Sequence, residues 1–144
     1  MAVIVLTAGH SATDPGAVAG AYTEAGLMTH LRDLAAELLR QRGHVVIEDG
    51  ADGENLPLRH AISLIEQGAL AVELHCNASD NPSARGVESI SLPGLRSFCR
   101  RLSAAVANVL GTRVRGDRGW IDQSQSARGR LGYVNAGGVI LETF

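Results

Sequence analysis

Residues 3–10 read VIVLTAGH, an unbroken apolar run that ends at a glycine and a histidine. A run this short and this rich in β-branched residues fits a strand buried on both faces, since neither face carries the alternating polar positions of a half-solvated edge. A strand is therefore expected from Val3 to Ala8, and the small residues at 7–9 allow a tight exit with close approach of backbone to a ligand. Outward from it, Leu27, Leu31, Leu34 and Leu38 recur at helical spacing before Gly43, which predicts a helix from about Thr23 to Arg42. Val45 to Glu48 reads as a strand, Leu58 to Gln67 as a helix stopped by Gly68, and Leu70 to His75 (LAVELH) as another buried strand. Val87 to Leu92 follows as a strand. A second amphipathic helix is carried by Leu95, Phe98, Leu102, Val106 and Val109 and closed by Gly111. Val139 to Glu142 is the last strand, and residues 112–138, rich in Gly, Arg, Ser and Gln, carry no clear period.

Strands alternating with helices imply an α/β fold, a mostly parallel twisted sheet with helices on both faces. A chain of 144 residues suits a single domain, here residues 1–144, that buries about two-thirds of its unfolded surface in one core. In such sheets ligand sites gather beyond the C-terminal ends of the strands. The polar residues standing there are His10, His75 and Glu142.

Composition excludes several classes. Aromatics are scarce, which disfavours an aromatic-rich binding module, and nothing resembles a disordered tail. All cationic side chains are arginine: residues 1–92 carry five against twelve acids, and residues 93–144 carry eight against three. An arginine-rich C-terminal third is suited to grip carboxylates bidentately, although any single one of these arginines also fits a solvated helix face. Cys76 and Cys99 form neither a CxxC pair nor a disulfide framework, so they do not locate the protein. The N-terminus MAVIVLTAGH lacks a basic region, and no stretch reaches transmembrane length. Synthesis in the cytoplasm without a signal peptide is expected, with no membrane insertion and no nucleic-acid partner.

His10 and His75, each taken alone, fit hydrogen-bonded structural histidines, and Glu24 is accounted for by the dipole at the start of its helix. Glu142 is harder to explain blandly, because a carboxylate ending a buried strand is costly unless a metal, a cation or a proton offsets it. Two histidines and a carboxylate at one end of a sheet make a three-ligand zinc site with a fourth position for water. A further glutamate beside it supplies the acid–base work that amide hydrolysis needs.

The fragments VIVLTAGHSATDPGAVAG (3–20), Glu24, LHCNAS (74–79), GVESISL (86–92) and VILE (139–142) together resemble the N-acetylmuramoyl-L-alanine amidases of the amidase-3 type, in matching order across nearly the whole chain. The resemblance implies that His10, Glu24 and His75 hold Zn2+ and that Glu142 is the catalytic base. Arg59 in LPLRHA and the GVE of 86–88 also fall where that family has its Arg and its GVE-like strand. The chain departs from the pattern at Thr7-Ala8-Gly9, where an Asp usually precedes GH, and at Ser11, so support of His10 is expected to differ. It also ends two residues after Glu142, where like-charge repulsion from a terminal carboxylate would raise the Glu142 pKa.

The implied activity is zinc-dependent hydrolysis of the bond between N-acetylmuramic acid and L-alanine, with peptidoglycan or a muropeptide as substrate. Asn77 is a candidate to orient substrate or steady an oxyanion, though it equally fits a turn residue, and Arg118, Arg128 and Arg130 are candidates to hold stem-peptide carboxylates. Alternatives are another zinc amide hydrolase, such as a stem-peptide peptidase or a deacetylase, and a non-catalytic wall-binding domain. A compact enzyme of this type resembles phage or prophage endolysins, acting as a monomer at the wall or periplasm after release.

Overall fold

A computed structural model describes residues 1–79 and 84–143. The chain divides into two compact units, Met1–His75 and Cys76–Phe144.

In the first unit, β1 (Val3–Ala8) is the apolar run anticipated from the sequence, and its last four residues are buried. A two-stranded antiparallel hairpin, β2 (Val18–Ala19) and β3 (Tyr22–Thr23), leads into α1 (Glu24–Gln41). Thr23 caps that helix, accepting a hydrogen bond from Gly26 N at 3.1 Å. β4 (Val45–Glu48), α2 (Leu58–Leu64) with a 3₁₀ turn to Gln67, and β5 (Leu70–His75) complete the unit. β1 pairs in parallel with both β4 and β5, and Thr7 and Ala8 lie opposite Glu73 and Leu74.

The leucine spacing locates α1 but not its buried face. Leu27, Leu31, Leu34 and Leu38 are 37–51% exposed, whereas Ala25, Met28, Thr29, Arg32 and Ala36 are buried. Ala25, Thr29 and Ala36 keep much of that face small, and its long cationic residue, Arg32, is accommodated by polar partners described below.

In the second unit, β6 (Glu88–Ser91) carries α3 (Arg96–Leu110), β7 (Trp120–Asp122), α4 (Gly132–Asn135) and β8 (Val139–Glu142) around it. β7 joins β6 in parallel, while β8 joins it antiparallel with Glu142 opposite Glu88. The antiparallel strand was not foreseen from the strand–helix alternation. Residues 112–138, without a sequence period, hold β7 and α4, elements too short to show one. α3 ends as expected at Gly111, in the left-handed conformation with φ 63°. Its buried face is Cys99, Ser103 and Ala107. Ser103 Oγ donates to Gly119 O at 2.7 Å and shares a 2.7 Å hydrogen bond with Ser89 Oγ. Trp120 Nε1 and Cys99 Sγ both donate to Ser91 Oγ, at 3.0 and 3.2 Å.

The strand order is thus β4-β1-β5, all parallel, in the first unit and β8-β6-β7, with β8 antiparallel, in the second, a mixed, mostly parallel α/β arrangement. Among the described residues no helix is long and apolar enough to cross a membrane.

Candidate metal centre

Three of the predicted residues converge within the first unit. β1 ends one residue before Gly9 and delivers His10, β5 ends on His75, and the first residue of α1 is Glu24. Glu24 is buried, and its Oε2 accepts from Ala17 N at 3.1 Å. His10 Nε2 lies 3.1 Å from Glu24 Oε2, and His75 Nδ1 lies 3.0 Å from Glu24 Oε1. One donor atom from each of the three falls within 4.8 Å of the others.

The donor chemistry fits zinc: two imidazoles and a carboxylate are the ligand types of catalytic sites that keep a fourth position open. The outward-facing ring nitrogens are also occupied as zinc-binding histidines require. His75 Nε2 lies 3.1 Å from Glu73 Oε2 on the same strand, and His10 Nδ1 lies 3.2 Å from Asp14 Oδ2. A carboxylate at the far nitrogen fixes the tautomer and turns the near nitrogen toward the metal. The His75 contact is a hydrogen bond; the His10 contact is at ion-pair distance without hydrogen-bond alignment. Its neighbour His10, together with the Gly16 N–H, holds the Asp14 carboxyl below the usual range.

Two glycines make room. A Cβ at Gly9 would fall 2.2–2.6 Å from the His75 ring, and one at Gly16, where φ is 66°, would fall 2.6–2.7 Å from His10 and Glu24 atoms. At position 9 the backbone thus comes close to the His75 ring.

This arrangement coincides with a family. The profile of N-acetylmuramoyl-L-alanine amidases, Amidase_3, matches residues 4–134. The chain belongs to that family. Among solved structures it resembles a Neisseria meningitidis protein provisionally assigned as an N-acetylmuramoyl-L-alanine amidase. The two are 41% identical with a TM-score of 0.89, over 99% of this chain and 79% of the other. The catalytic domain of the amidase CwlV from Bacillus (Paenibacillus) polymyxa var. colistinus shares the fold at 22% identity and a TM-score of 0.75, over 99% of this chain and 80% of its own. AmiC2 of Nostoc punctiforme does so at 18% and 0.72, over 98% and 78%. No curated protein sequence is similar enough to match. The chain is therefore an amidase, a hydrolase of peptidoglycan.

The remaining predicted residues of this amidase lie at the following places. Glu142 is partly exposed at the end of β8, beyond the family match, facing Glu88 across the antiparallel register. Glu88 is buried 3.2 Å from Arg115 Nε and accepts a 3.4 Å hydrogen bond from Asn77 Nδ2, so Asn77 directs its amide at a protein carboxylate. Arg59 is exposed on α2, and Arg118, Arg128 and Arg130 are exposed in the second unit. The terminal carboxylate expected to act on Glu142 belongs to Phe144, outside the described residues.

Sequence reasoning missed Glu73, Asp14 and the group bracing His10. An acid inside the apolar run LAVELH was the available signal for Glu73. The bracing group is Arg32 with Asp49 and Asn55. Arg32 and Asp49 are fully buried and joined by a 2.8 Å bond from Arg32 Nη1 to Asp49 Oδ1. Burial pushes the Asp49 pKa up, with Arg32 acting against that rise.

Proposed function

We propose that this amidase is a zinc hydrolase in which His10, Glu24 and His75 hold the metal and Glu142 is the catalytic residue for proton transfer. The convergence of the three ligand atoms, each histidine backed by a carboxylate at its far nitrogen, carries the reading. Bound zinc would supply Lewis acidity toward the lactyl carbonyl and toward water. Glu24 offers both carboxylate oxygens to the cluster, and Ala17 N–H steadies it. Glu73 keeps His75 in the tautomer whose Nδ1 can ligate, since Nε2 carries the proton that it donates. Glu142 takes a proton from the attacking water and returns it to the departing amine of L-alanine. Glu88, opposite it, is engaged by Arg115 and Asn77.

Residues 1–144 act as one catalytic domain on this reading, monomeric, cutting wall peptidoglycan in the manner of a lytic enzyme. Arg59, Arg118, Arg128 and Arg130 grip stem-peptide carboxylates. Neutralising Arg118, Arg128 and Arg130 then lowers activity on long stem peptides but not on truncated ones; an equal loss on both removes that role.

The deciding experiment is digestion of purified peptidoglycan with zinc-loaded protein, chelated protein and the Glu142→Ala variant, with the new ends identified by mass spectrometry. The expected result is zinc-dependent release of stem peptides beginning with L-alanine, reduced by at least about 100-fold in the variant. Full activity after chelation would remove zinc from the mechanism, and full activity in Glu142→Ala would remove the base.

A further inference from the structure

His10 has φ 67°, a left-handed conformation uncommon for a residue with a side chain. The carbonyls on and before this turn are held by one side-chain amide. Asn55 Nδ2 donates toward three successive carbonyls, those of Ala8 at 3.0 Å, Gly9 at 3.4 Å and His10 at 2.8 Å. Asn55 is itself oriented, because its Oδ1 accepts from Arg32 Nη1 at 3.0 Å. The other side of the same chain segment is held as well: Asp49 Oδ1 accepts from Ala8 N at 3.3 Å. Arg32 joins the two holds. It donates to Asp49 Oδ1, to Glu54 O at 2.6 Å and to Asp33 Oδ1 at 2.7 Å, so its buried guanidinium is compensated on all sides. Asp49 directly follows β4, Arg32 lies in mid-α1 and Asn55 precedes α2, so residues from three parts of the chain meet on the exit of β1.

We propose that Asn55 is a positioning residue for metal binding, locking the backbone of residues 8–10 in the left-handed turn that aims His10 Nε2 at Glu24 and His75. Asn55 acts on the backbone carbonyls of residues 8–10, so its influence on the metal passes through the His10 backbone. Released from the amide, residue 10 relaxes toward the ordinary φ regions and swings its imidazole out of the cluster. The inference rests on the reading of His10, Glu24 and His75 as ligands.

The test measures zinc affinity of folded protein by competition with a chromophoric chelator, with thermal unfolding of the zinc-free protein recorded in parallel. Asn55→Asp keeps the acceptor for Arg32 and removes the donor; Asn55→Leu removes both; Ile65→Ala is a destabilising packing control at a buried residue of the first unit. Zinc binding weaker by about 10- to 100-fold in both Asn55 variants, with Ile65→Ala at wild-type affinity, is the expected result. If Asn55→Leu does not fold, Asn55→Asp decides alone. Wild-type affinity in Asn55→Asp overturns the proposal, as does a weakening that Ile65→Ala reproduces at equal loss of stability. His10→Ala separates the two levels: if it binds zinc as tightly as wild type, the ligand reading falls and the proposal with it.

Discussion

At position 9 one methyl group decides whether His75 keeps its place. Gly9 adopts no left-handed φ, so alanine is conformationally acceptable there, but its Cβ would lie 2.2 Å from His75 Cε1 and 2.4 Å from Nε2. Either the ring or the strand exit must shift. Gly9→Ala should therefore weaken zinc binding by at least about tenfold, read by chelator competition; unchanged affinity would mean that His75 is not a ligand in the orientation seen here. Glu73→Gln keeps the volume and removes the charge behind His75, and a loss of about 10- to 100-fold in zinc affinity is expected. The three converging side chains were legible in the sequence because each sits at or just beyond the end of an element. Their supports were not, because Asp49 and Asn55 come from separate segments and Arg32 occupies a helix position that apolar periodicity assigns to neither face. Asp49 falls one residue beyond its strand, and no neighbouring residue there suggests a ligand.

The elements obey the same division between what periodicity shows and what packing decides. Repeats of leucine and valine placed α1 and α3 almost to the residue, since any face of a helix repeats at the same spacing. Which face is buried depends on how closely the helix approaches its sheet, and in both helices the closest stripe is built of small or polar residues. Two substitutions separate these readings in α1. Leu34→Gln, at 48% exposure, should change stability by less than about 0.5 kcal/mol, whereas Ala36→Leu, at 0%, should cost about 1–3 kcal/mol through overpacking. Chemical denaturation of each variant gives the ranking, and the reverse order would place the leucines inward. In α3 the polar stripe is equally specific. Ser103→Ala deprives Ser89 Oγ and Gly119 O of a buried partner, and a loss of about 1–3 kcal/mol is expected in the same measurement.

Across the whole molecule the charge is divided unevenly, with eight arginines to three acids in residues 93–144. Asp117 is consequently shared: Arg96 and Arg100 both donate to its Oδ2, while Arg96 also stacks 5.0 Å over Trp120. The Arg100 hydrogen bond holds the Asp117 carboxyl below its ordinary value of 3.8, with Arg96 adding to the effect. Asp122 is lowered likewise by Ser124, and Asp14 by His10. For a carboxylate whose folded pKa is depressed, the unfolded chain binds the proton first on acidification. Its stabilising contribution is present above the unfolded value and is lost as pH falls through the folded one. Asp49 has the opposite sign: its raised pKa means that stability falls as pH rises through the window above 3.8. Asp117→Asn isolates the first effect, because Asp117 lies at the surface and in the second unit. Thermal unfolding followed from about pH 6 down to about pH 2 should show the variant less stable at the upper end and converging on wild type at the lower. The gap should narrow with added salt, since ions screen exposed charges. Parallel curves would mean that the two arginines hold Asp117 no more tightly in the folded protein than water does in the unfolded chain.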